Sequence, residues 1–151
     1  MEITLTQGKT ATIDDADAPL ILKFKWCAWK SRNAERWYAM TRVEGKHTLM
    51  HSLLTGWYRT DHRDGDGLNN RRENLRQCTN SQNGANRRKN RNGSSRFKGV
   101  SLDATRRTPK WVAHIRVNGN LRSLGRFLIE EDAAAAYRAA AIQFFGEFAR
   151  F

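Results

Sequence analysis

Cysteine is scarce in this 151-residue chain, and its scarcity excludes two kinds of stabilised fold. Cys27 and Cys78 are the only cysteines, and neither has a second cysteine within four positions. This spacing excludes a four-cysteine zinc site, and two cysteines are too few for a disulfide framework. We therefore expect the protein in a reducing cytoplasm.

Long apolar runs are also missing. No run of apolar residues approaches the roughly 18 that a membrane-spanning helix needs. The N-terminus lacks the order of a signal peptide, in which positive residues precede an apolar stretch. The sequence predicts a soluble intracellular protein without a membrane partner.

Acidic residues are too few to balance the basic ones. The chain has 27 Lys and Arg residues against 15 Asp and Glu residues, which gives a formal net charge of +12. Residues 1–50 carry 8 basic and 6 acidic groups, residues 51–96 carry 10 and 4, and residues 97–151 carry 9 and 5. Such charge favours polyanions but says nothing about fold. A ribosomal or membrane-surface protein would have a similar balance, but the 39% hydrophobic content argues against a disordered tail and favours a folded nucleic-acid-binding protein.

The chain divides by composition into three parts. Residues 1–86 contain a strand-rich N-terminal stretch, with turns at Gln7-Gly8-Lys9 and Glu44-Gly45-Lys46, and then a motif block at 51–86. Residues 87–96 are basic, lack acids and have the composition of a linker. Residues 97–151 form a separate predicted domain.

The C-terminal part has the pattern of three strands followed by a helix. The strands are predicted at Phe97–Leu102, Trp111–Val117 and Leu121–Phe127, and Asn118-Gly119 is a strong signal for a two-residue hairpin. The helix is predicted to start at Glu130, and the side expected to lie on the sheet carries Ala136, Ala140 and Phe144. The complete chain is predicted to be α+β.

The most informative motif combines Asp61-His62 with two later asparagines, Asn74 and Asn83. Between them lies the run Leu68-Asn69-Asn70-Arg71-Arg72-Glu73-Asn74-Leu75-Arg76. In order and spacing this segment resembles the HNH nucleases, specifically the homing endonucleases of phages and introns in which Asp-His opens the motif. The resemblance implies a ββα-metal fold that hydrolyses DNA phosphodiesters.

The resemblance also implies a role for each motif residue. His62 is the general base, because its pKa lies close to the working range. Asp61 and Asn83 are oxygen ligands of a divalent metal, Mg²⁺ or Mn²⁺, and Asn74 orients His62 and the loop 63–73. His51 either approaches a phosphate or fixes the start of a short helix.

Two other metal sites are less consistent with this region of the sequence. A calcium loop beginning at Asp64 would need Glu at its twelfth position, which Leu75 occupies. A zinc site of His47 and His51 has no third ligand nearby in the sequence.

The C-terminal part resembles the plant ethylene-response-factor DNA-binding domain over residues 96–151. The matching segments include Phe97-Lys98-Gly99-Val100, Trp111, Leu124-Gly125 and Phe145-Gly146-Glu147-Phe148-Ala149. In that family the face of the sheet opposite the helix enters the major groove. With Trp111, Ala113, Ile115 and Val117 facing the helix, alternation predicts the opposite face and the basic segments as DNA contacts. The predicted DNA-binding residues are Arg87, Arg88, Lys89, Arg91, Lys98, Ser101, Arg106, Arg107, His114, Arg116 and Ser123.

Taken together, the sequence predicts a metal-dependent HNH endonuclease that cuts double-stranded DNA. A single site per chain favours strand nicking by a monomer, and no protein partner is evident. The resemblance implies a phage-encoded enzyme in the cytoplasm of a bacterial host. The alternatives are a sequence-specific DNA-binding regulator with a catalytically silent HNH unit, and a binder of structured RNA.

Overall fold

The computed structural model describes residues 1–31, 36–89, 92–105 and 107–151. Over these residues the chain has small antiparallel sheets and four α-helices, which confirms the predicted α+β class. The chain separates into two compact units, Met1–Cys78 and Thr79–Phe151. No helix in the described ranges has the length and apolar character that would let it cross a membrane.

In its described residues, 1–31 and 36–78, the first unit contains three small sheets and two short α-helices. Strands β1 and β2 pair with each other, β3, β4 and β5 form a second sheet in that order, and β6 pairs with β7. The elements are β1 Glu2–Thr4, β2 Thr10–Thr12, α1 Ala18–Ile21, β3 Cys27–Lys30, β4 Trp37–Val43, β5 Lys46–Leu49, α2 Met50–Thr55, β6 Thr60–His62 and β7 Leu75–Gln77.

Both turns predicted for the N-terminal stretch are present. Glu44 and Gly45 have φ values of 48° and 77°, and Val43 pairs with Lys46 across them. Two successive positive φ values match the twist of a tight hairpin, which explains glycine at this position. Helix α2 begins at Met50, one residue before the predicted start.

The core of the first unit combines residues from its strands, its helices and the segments between them. Ile13, Ile21 and Met50 have no exposed surface and come from three separate parts of the chain. The core residues are Ile3, Leu5, Ala11, Ile13, Ile21, Trp26, Ala28, Ala39, Met50, Leu54 and Leu75. Leu75 belongs to β7, so the strand pair that carries Asp61 and His62 is attached directly to this core.

The second unit contains one three-stranded sheet and two helices. Its elements are α3 Asn80–Ala85, β8 Val100–Asp103, β9 Lys110–Val117, β10 Asn120–Phe127 and α4 Glu130–Phe145. Strand β9 lies between β8 and β10. Asn118 and Gly119 form the predicted hairpin turn, with φ values of 50° and 85°.

Two details of this unit differ from the prediction. Strand β8 starts at Val100 rather than Phe97, because Gly99 has a φ of 73°, outside extended backbone. The buried side of α4 is also shifted from the predicted one. Phe144 is 38% exposed whereas Phe145 is buried, because the residues that α4 buries recur at Ala133, Tyr137, Ala140, Ala141 and Phe145.

Part of the predicted linker is folded. The Ser95 side chain is buried, and its hydroxyl donates a 2.6 Å hydrogen bond to Glu130 at the start of α4. The amide of Arg96 donates to the same carboxylate at 3.0 Å. Helix α3 also packs within the second unit, since the Asn118 amide donates to the Ser81 hydroxyl at 3.0 Å. The functional boundaries at residues 86 and 96 stay a prediction.

Candidate active site

Asp61 and His62 lie side by side on β6, and both are buried. Asp61 pairs with Arg76 and His62 with Leu75 across the two-stranded sheet. Successive side chains on a strand point to opposite faces, so the two residues have different surroundings. Asp61 is 3% exposed and His62 is 5% exposed, which shows that both faces of this short strand are covered.

His62 lies in a cluster of rings. Its ring centroid is 5.0 Å from that of His51, at an interplanar angle of 85°, and 6.0 Å from that of Tyr38. Tyr38 also contacts His51, with centroids 5.8 Å apart. His51 is placed here by α2 and Tyr38 by β4, so the ring cluster joins three elements of the first unit.

The ring cluster keeps its histidines uncharged. Burial, followed by the neighbouring His62, lowers the pKa of His51 to about 3. Burial also lowers the pKa of His62, although a hydrogen bond to Asn70 and the nearby carboxylates act in the opposite direction. His62 is therefore neutral at neutral pH, the form that can accept a proton.

Asn70 contacts the His62 ring and was not identified from the sequence. It is fully buried, and its Oδ1 lies 3.4 Å from Nε2 of His62. Its Nδ2 donates to the Leu68 carbonyl at 3.1 Å, which fixes the orientation of the amide. Because Oδ1 can only accept, the 3.4 Å contact favours the tautomer with the ring proton on Nε2.

The loop between β6 and β7 is closed by Asn74. The Asn74 Nδ2 donates to Asp64 Oδ1 at 3.0 Å and to the Asn69 carbonyl at 2.8 Å. Its Oδ1 accepts from the Asp64 amide at 3.1 Å. Partial burial acts to raise the pKa of Asp64, but hydrogen bonds from Asp66, Asn69 and Asn74 outweigh it and lower the pKa. One amide thus ties both sides of the loop together.

The N-terminal hairpin supports the same loop from outside. The Thr12 amide donates to the Leu68 carbonyl at 2.9 Å, and the Asn70 amide donates to the Thr12 carbonyl at 2.8 Å. Arg72 donates to both carboxylate oxygens of Asp17, with a shortest distance of 2.6 Å. Residues far from the motif in sequence therefore set the position of Asn70.

Asp61 pairs with Arg76, which was also not identified from the sequence. The Nε and Nη2 atoms of Arg76 lie 2.9 and 2.8 Å from Oδ2 of Asp61. The two side chains are 8% and 3% exposed. The pair could have been found from the sequence if strands 60–62 and 75–77 had been paired, because their antiparallel register places Asp61 opposite Arg76.

The donor chemistry of Asp61 fits a hard cation. Its buried carboxylate is an oxygen donor of the kind that Mg²⁺ and Mn²⁺ take, and its Oδ2 is bonded to the Arg76 guanidinium. No group of three or more His, Cys, Asp or Glu side chains comes together within the described residues. Asn83 lies on α3 in the second unit, and its ligand role stays a prediction.

The predicted DNA contacts occupy several kinds of position. Ser123 pairs with His114 and Ser101 with Val112, so these side chains share the sheet face opposite Trp111 and Ala113. Arg116 is exposed on the same face, and its guanidinium donates to the Gly119 carbonyl at 2.7 Å. The exposed basic residues are Arg87, Arg88 and Arg107, with Lys89 half-buried. Arg91 and Arg106 lie outside the described residues.

Lys98 differs from the other predicted contacts. Its ammonium donates to the Ala85 carbonyl and, at 3.1 Å, to the Arg150 carbonyl. Burial, followed by the charge of Arg150, lowers the pKa of Lys98 to about 8. In this structure Lys98 holds its own unit together.

Comparison with known proteins identifies the central segment. Residues 45–85 match the family model described as HNH endonuclease. The matched segment begins at the turn before β5, ends with α3 and contains His51, Asp61, His62, Asn74 and Asn83. No curated protein and no solved structure matched the chain. The family match supports nuclease activity on DNA for this segment.

Proposed function

We propose that the protein is a metal-dependent DNA endonuclease of the HNH homing type that hydrolyses phosphodiester bonds. One observation carries the proposal: a buried, neutral His62 adjoins Asp61 on a strand within the segment that matches HNH endonucleases. A neutral imidazole and a carboxylate are the two groups that metal-assisted hydrolysis requires from the protein, and here they lie on opposite faces of β6.

His62 acts as the general base in this proposal. In the tautomer that the Asn70 contact favours, Nε2–H would donate to Asn70 and Nδ1 would take the proton of the attacking water. Asn70 and Asn74 do not touch the substrate; they position the ring and the loop. Asp61 would hold Mg²⁺ or Mn²⁺, which when bound stabilises charge on the phosphate and on the departing oxygen. The expected ends are a 5′-phosphate and a 3′-hydroxyl.

DNA recognition is assigned to the second unit. The proposal is supported by the shared face of Ser101, His114, Arg116 and Ser123, which carries polar and basic side chains. A two-stranded or larger β-ribbon fits the major groove. The exposed arginines around it would contact phosphates and make binding sensitive to salt. Double-stranded DNA is thus the proposed partner, and a monomer that nicks one strand is the proposed form.

The second candidate function is a DNA-binding regulator without catalysis. One observation favours it: Arg76 already neutralises Asp61, the residue proposed to hold the metal. A permanent pair of this kind would leave the site without its metal ligand. The two candidates differ in whether metal-dependent cleavage occurs.

Cleavage of supercoiled DNA separates these functions. The unmodified protein, His62→Ala and the control His47→Ala, whose histidine is exposed, are incubated with Mg²⁺, Mn²⁺ or EDTA. We expect open circles only with metal and only from the unmodified protein and the control. Linear product would show that both strands are cut. Cleavage that persists in His62→Ala would refute the role of His62.

Substrate choice needs its own control, because a specific enzyme is silent on the wrong DNA. A binding sequence is therefore selected first from random duplexes and then tested for cleavage. A selected site that is bound but left uncut with either metal favours the regulator. Arg116→Ala is expected to weaken binding severalfold, whereas Arg138→Ala, on an exposed position of α4, should leave it unchanged.

A further inference from the structure

The Asp61–Arg76 pair is unusual in its burial. Arginine is rarely this buried unless paired, and here both partners are less than one-tenth exposed. Two donors of one guanidinium reach the same oxygen, Oδ2, at 2.8 and 2.9 Å. The pair is set by the register of β6 and β7, in which the two residues stand directly opposite each other.

Two cations, the Arg76 guanidinium and the proposed divalent ion, compete for the Asp61 carboxylate. Under the proposed function Asp61 holds a divalent ion, yet the structure gives Oδ2 to a guanidinium. Removing one partner of a buried pair leaves an uncompensated charge and is strongly unfavourable. A cation that takes the place of Arg76 at Asp61 therefore displaces the guanidinium, for which another anion is a favourable partner.

The substrate offers that anion. Guanidinium groups bind phosphate oxygens with the same planar donor geometry that they use for carboxylates. Arg76 lies one residue from Leu75, whose register partner is the proposed base His62. The Arg76 side chain lies on the face of Asp61, so a phosphodiester held by a metal ion at Asp61 would come next to the guanidinium.

We propose that the Arg76 guanidinium is bonded to Asp61 in the free protein and moves to a DNA phosphate when DNA binds. The Asp61 carboxylate can then bind the divalent ion. The inference rests on the proposed function, since it takes Asp61 as the metal ligand. Arg76 is a positioning residue that couples metal binding to substrate binding. The free protein consequently binds metal weakly, and DNA strengthens metal binding.

Metal binding without DNA tests the exchange directly. Mn²⁺ affinity is measured by electron paramagnetic resonance for the unmodified protein, Arg76→Met, Asp61→Asn and the double variant. We expect Arg76→Met to bind Mn²⁺ about tenfold or more tightly, because the guanidinium no longer competes with the ion for Oδ2 of Asp61. The gain should be absent in the double variant. An unchanged or lower affinity in a folded Arg76→Met variant, or a gain that survives Asp61→Asn, would overturn the proposal.

Loss of the ion pair could unfold Arg76→Met, so thermal melting provides a second readout. Mn²⁺ should raise the melting temperature of Arg76→Met more than that of the unmodified protein, because a ligand bound only by the folded state stabilises it. Arg76→Lys keeps the charge with fewer donors, and we expect its Mn²⁺ affinity between those of the other two. An Arg76→Lys variant that binds Mn²⁺ no better than the unmodified protein, together with no Mn²⁺-dependent stabilisation of Arg76→Met, would refute the exchange.

Mn²⁺ binding in the presence of DNA distinguishes this inference from the proposed function. His62→Ala protein is saturated with a short duplex and titrated with Mn²⁺, with and without the additional Arg76→Met change. DNA should strengthen Mn²⁺ binding when Arg76 is present and by a smaller factor when it is absent. Cleavage by the unmodified protein without these affinity changes would leave the nuclease intact and reject the exchange. The affinity changes, together with no cleavage of a selected binding sequence, would retain the exchange and reject the nuclease.

Discussion

The Nε2 atom of His62 lies 3.4 Å from Oδ1 of the fully buried Asn70, and this contact favours the tautomer with the ring proton on Nε2. The Asn70 amide cannot turn to offer its NH₂ group without losing its bond to the Leu68 carbonyl. A residue that bonds one nitrogen of a reactive imidazole fixes the orientation of the ring, and the other nitrogen can then take part in proton transfer. The contact thus connects the motif loop to the proposed chemistry.

Asn70→Leu should lower kcat for cleavage about 10- to 100-fold with little change in KM, in line with other losses of an orienting partner. The ring would lose the acceptor that holds Nε2–H. Nitrogen NMR of His62 should show a well-defined Nε2–H form in the unmodified protein and a mixture in the variant. Asn69→Leu is the matched control, since Asn69 bonds Asp64 in the same loop and does not contact the ring. Equal losses in both variants with an unchanged tautomer would contradict a positioning role.

Stability should fall as the pH decreases from about 6.5, because His51 is held neutral in the folded protein. Its folded pKa of about 3 is below the ordinary value of 6.5, so between these values only the unfolded chain takes up the proton. The stabilisation is complete above 6.5 and decreases by up to about 1.4 kcal/mol per pH unit below it. By pH 5 the loss from His51 reaches about 2 kcal/mol. Burial lowers the pKa of His62 too, so this residue adds to the effect in the same direction.

Urea unfolding between pH 5 and 7.5 measures this slope. His51→Phe keeps a ring in the cluster but cannot titrate, so the slope should flatten. His47→Ala removes an exposed histidine and should leave the slope as it is. The assignment to His51 is wrong if His51→Phe retains the full pH dependence.

Arg72 and Asp17 should contribute unequally to stability although they form one pair. The Asp17 side chain is 6% exposed, whereas that of Arg72 is 57% exposed. Arg72→Ala leaves a buried carboxylate without its donors and should cost about 1–3 kcal/mol. Asp17→Asn leaves only an exposed guanidinium and should cost about 1 kcal/mol or less. Denaturant unfolding of both variants and of the double variant measures the difference, and equal costs would contradict the assignment.

The sequence predicts local structure well because each turn depends on few residues. Glu44-Gly45 and Asn118-Gly119 carry the positive φ values of their hairpins, and alternation along β9 places Trp111 and Ala113 towards α4. The face of α4 was less well predicted. Because alanines occur on all sides of this helix, the sequence predicts Phe144 towards the sheet, whereas the structure buries Phe145 instead.

The surroundings of the site were harder to predict than its central residues. Asp61, His62 and Asn74 are visible as a spaced motif, but Asn70 and Arg76 gain their roles from contacts that the fold creates. Asn70 is positioned by Thr12, 58 positions earlier in the chain, and Arg76 by strand register. Such pairings depend on which segments meet, which a local pattern does not specify.

Gly99 should tolerate no side chain, because Tyr137 packs against it. A Cβ atom there would lie 2.1 Å from Cδ2 and Cε2 of the Tyr137 ring, and the φ of Gly99 is 73°. Gly99→Ala therefore combines backbone strain with overpacking, and it should destabilise the protein by about 2–5 kcal/mol.

Gly119→Ala is the matched control. Its φ is 85° but nothing lies within 4 Å of the added atom, so it should cost only the strain of about 1–2 kcal/mol. Thermal unfolding compares the two variants. If both lowered the melting temperature equally, the ring contact would contribute nothing, and the packing of α4 on the sheet would have to be explained without it.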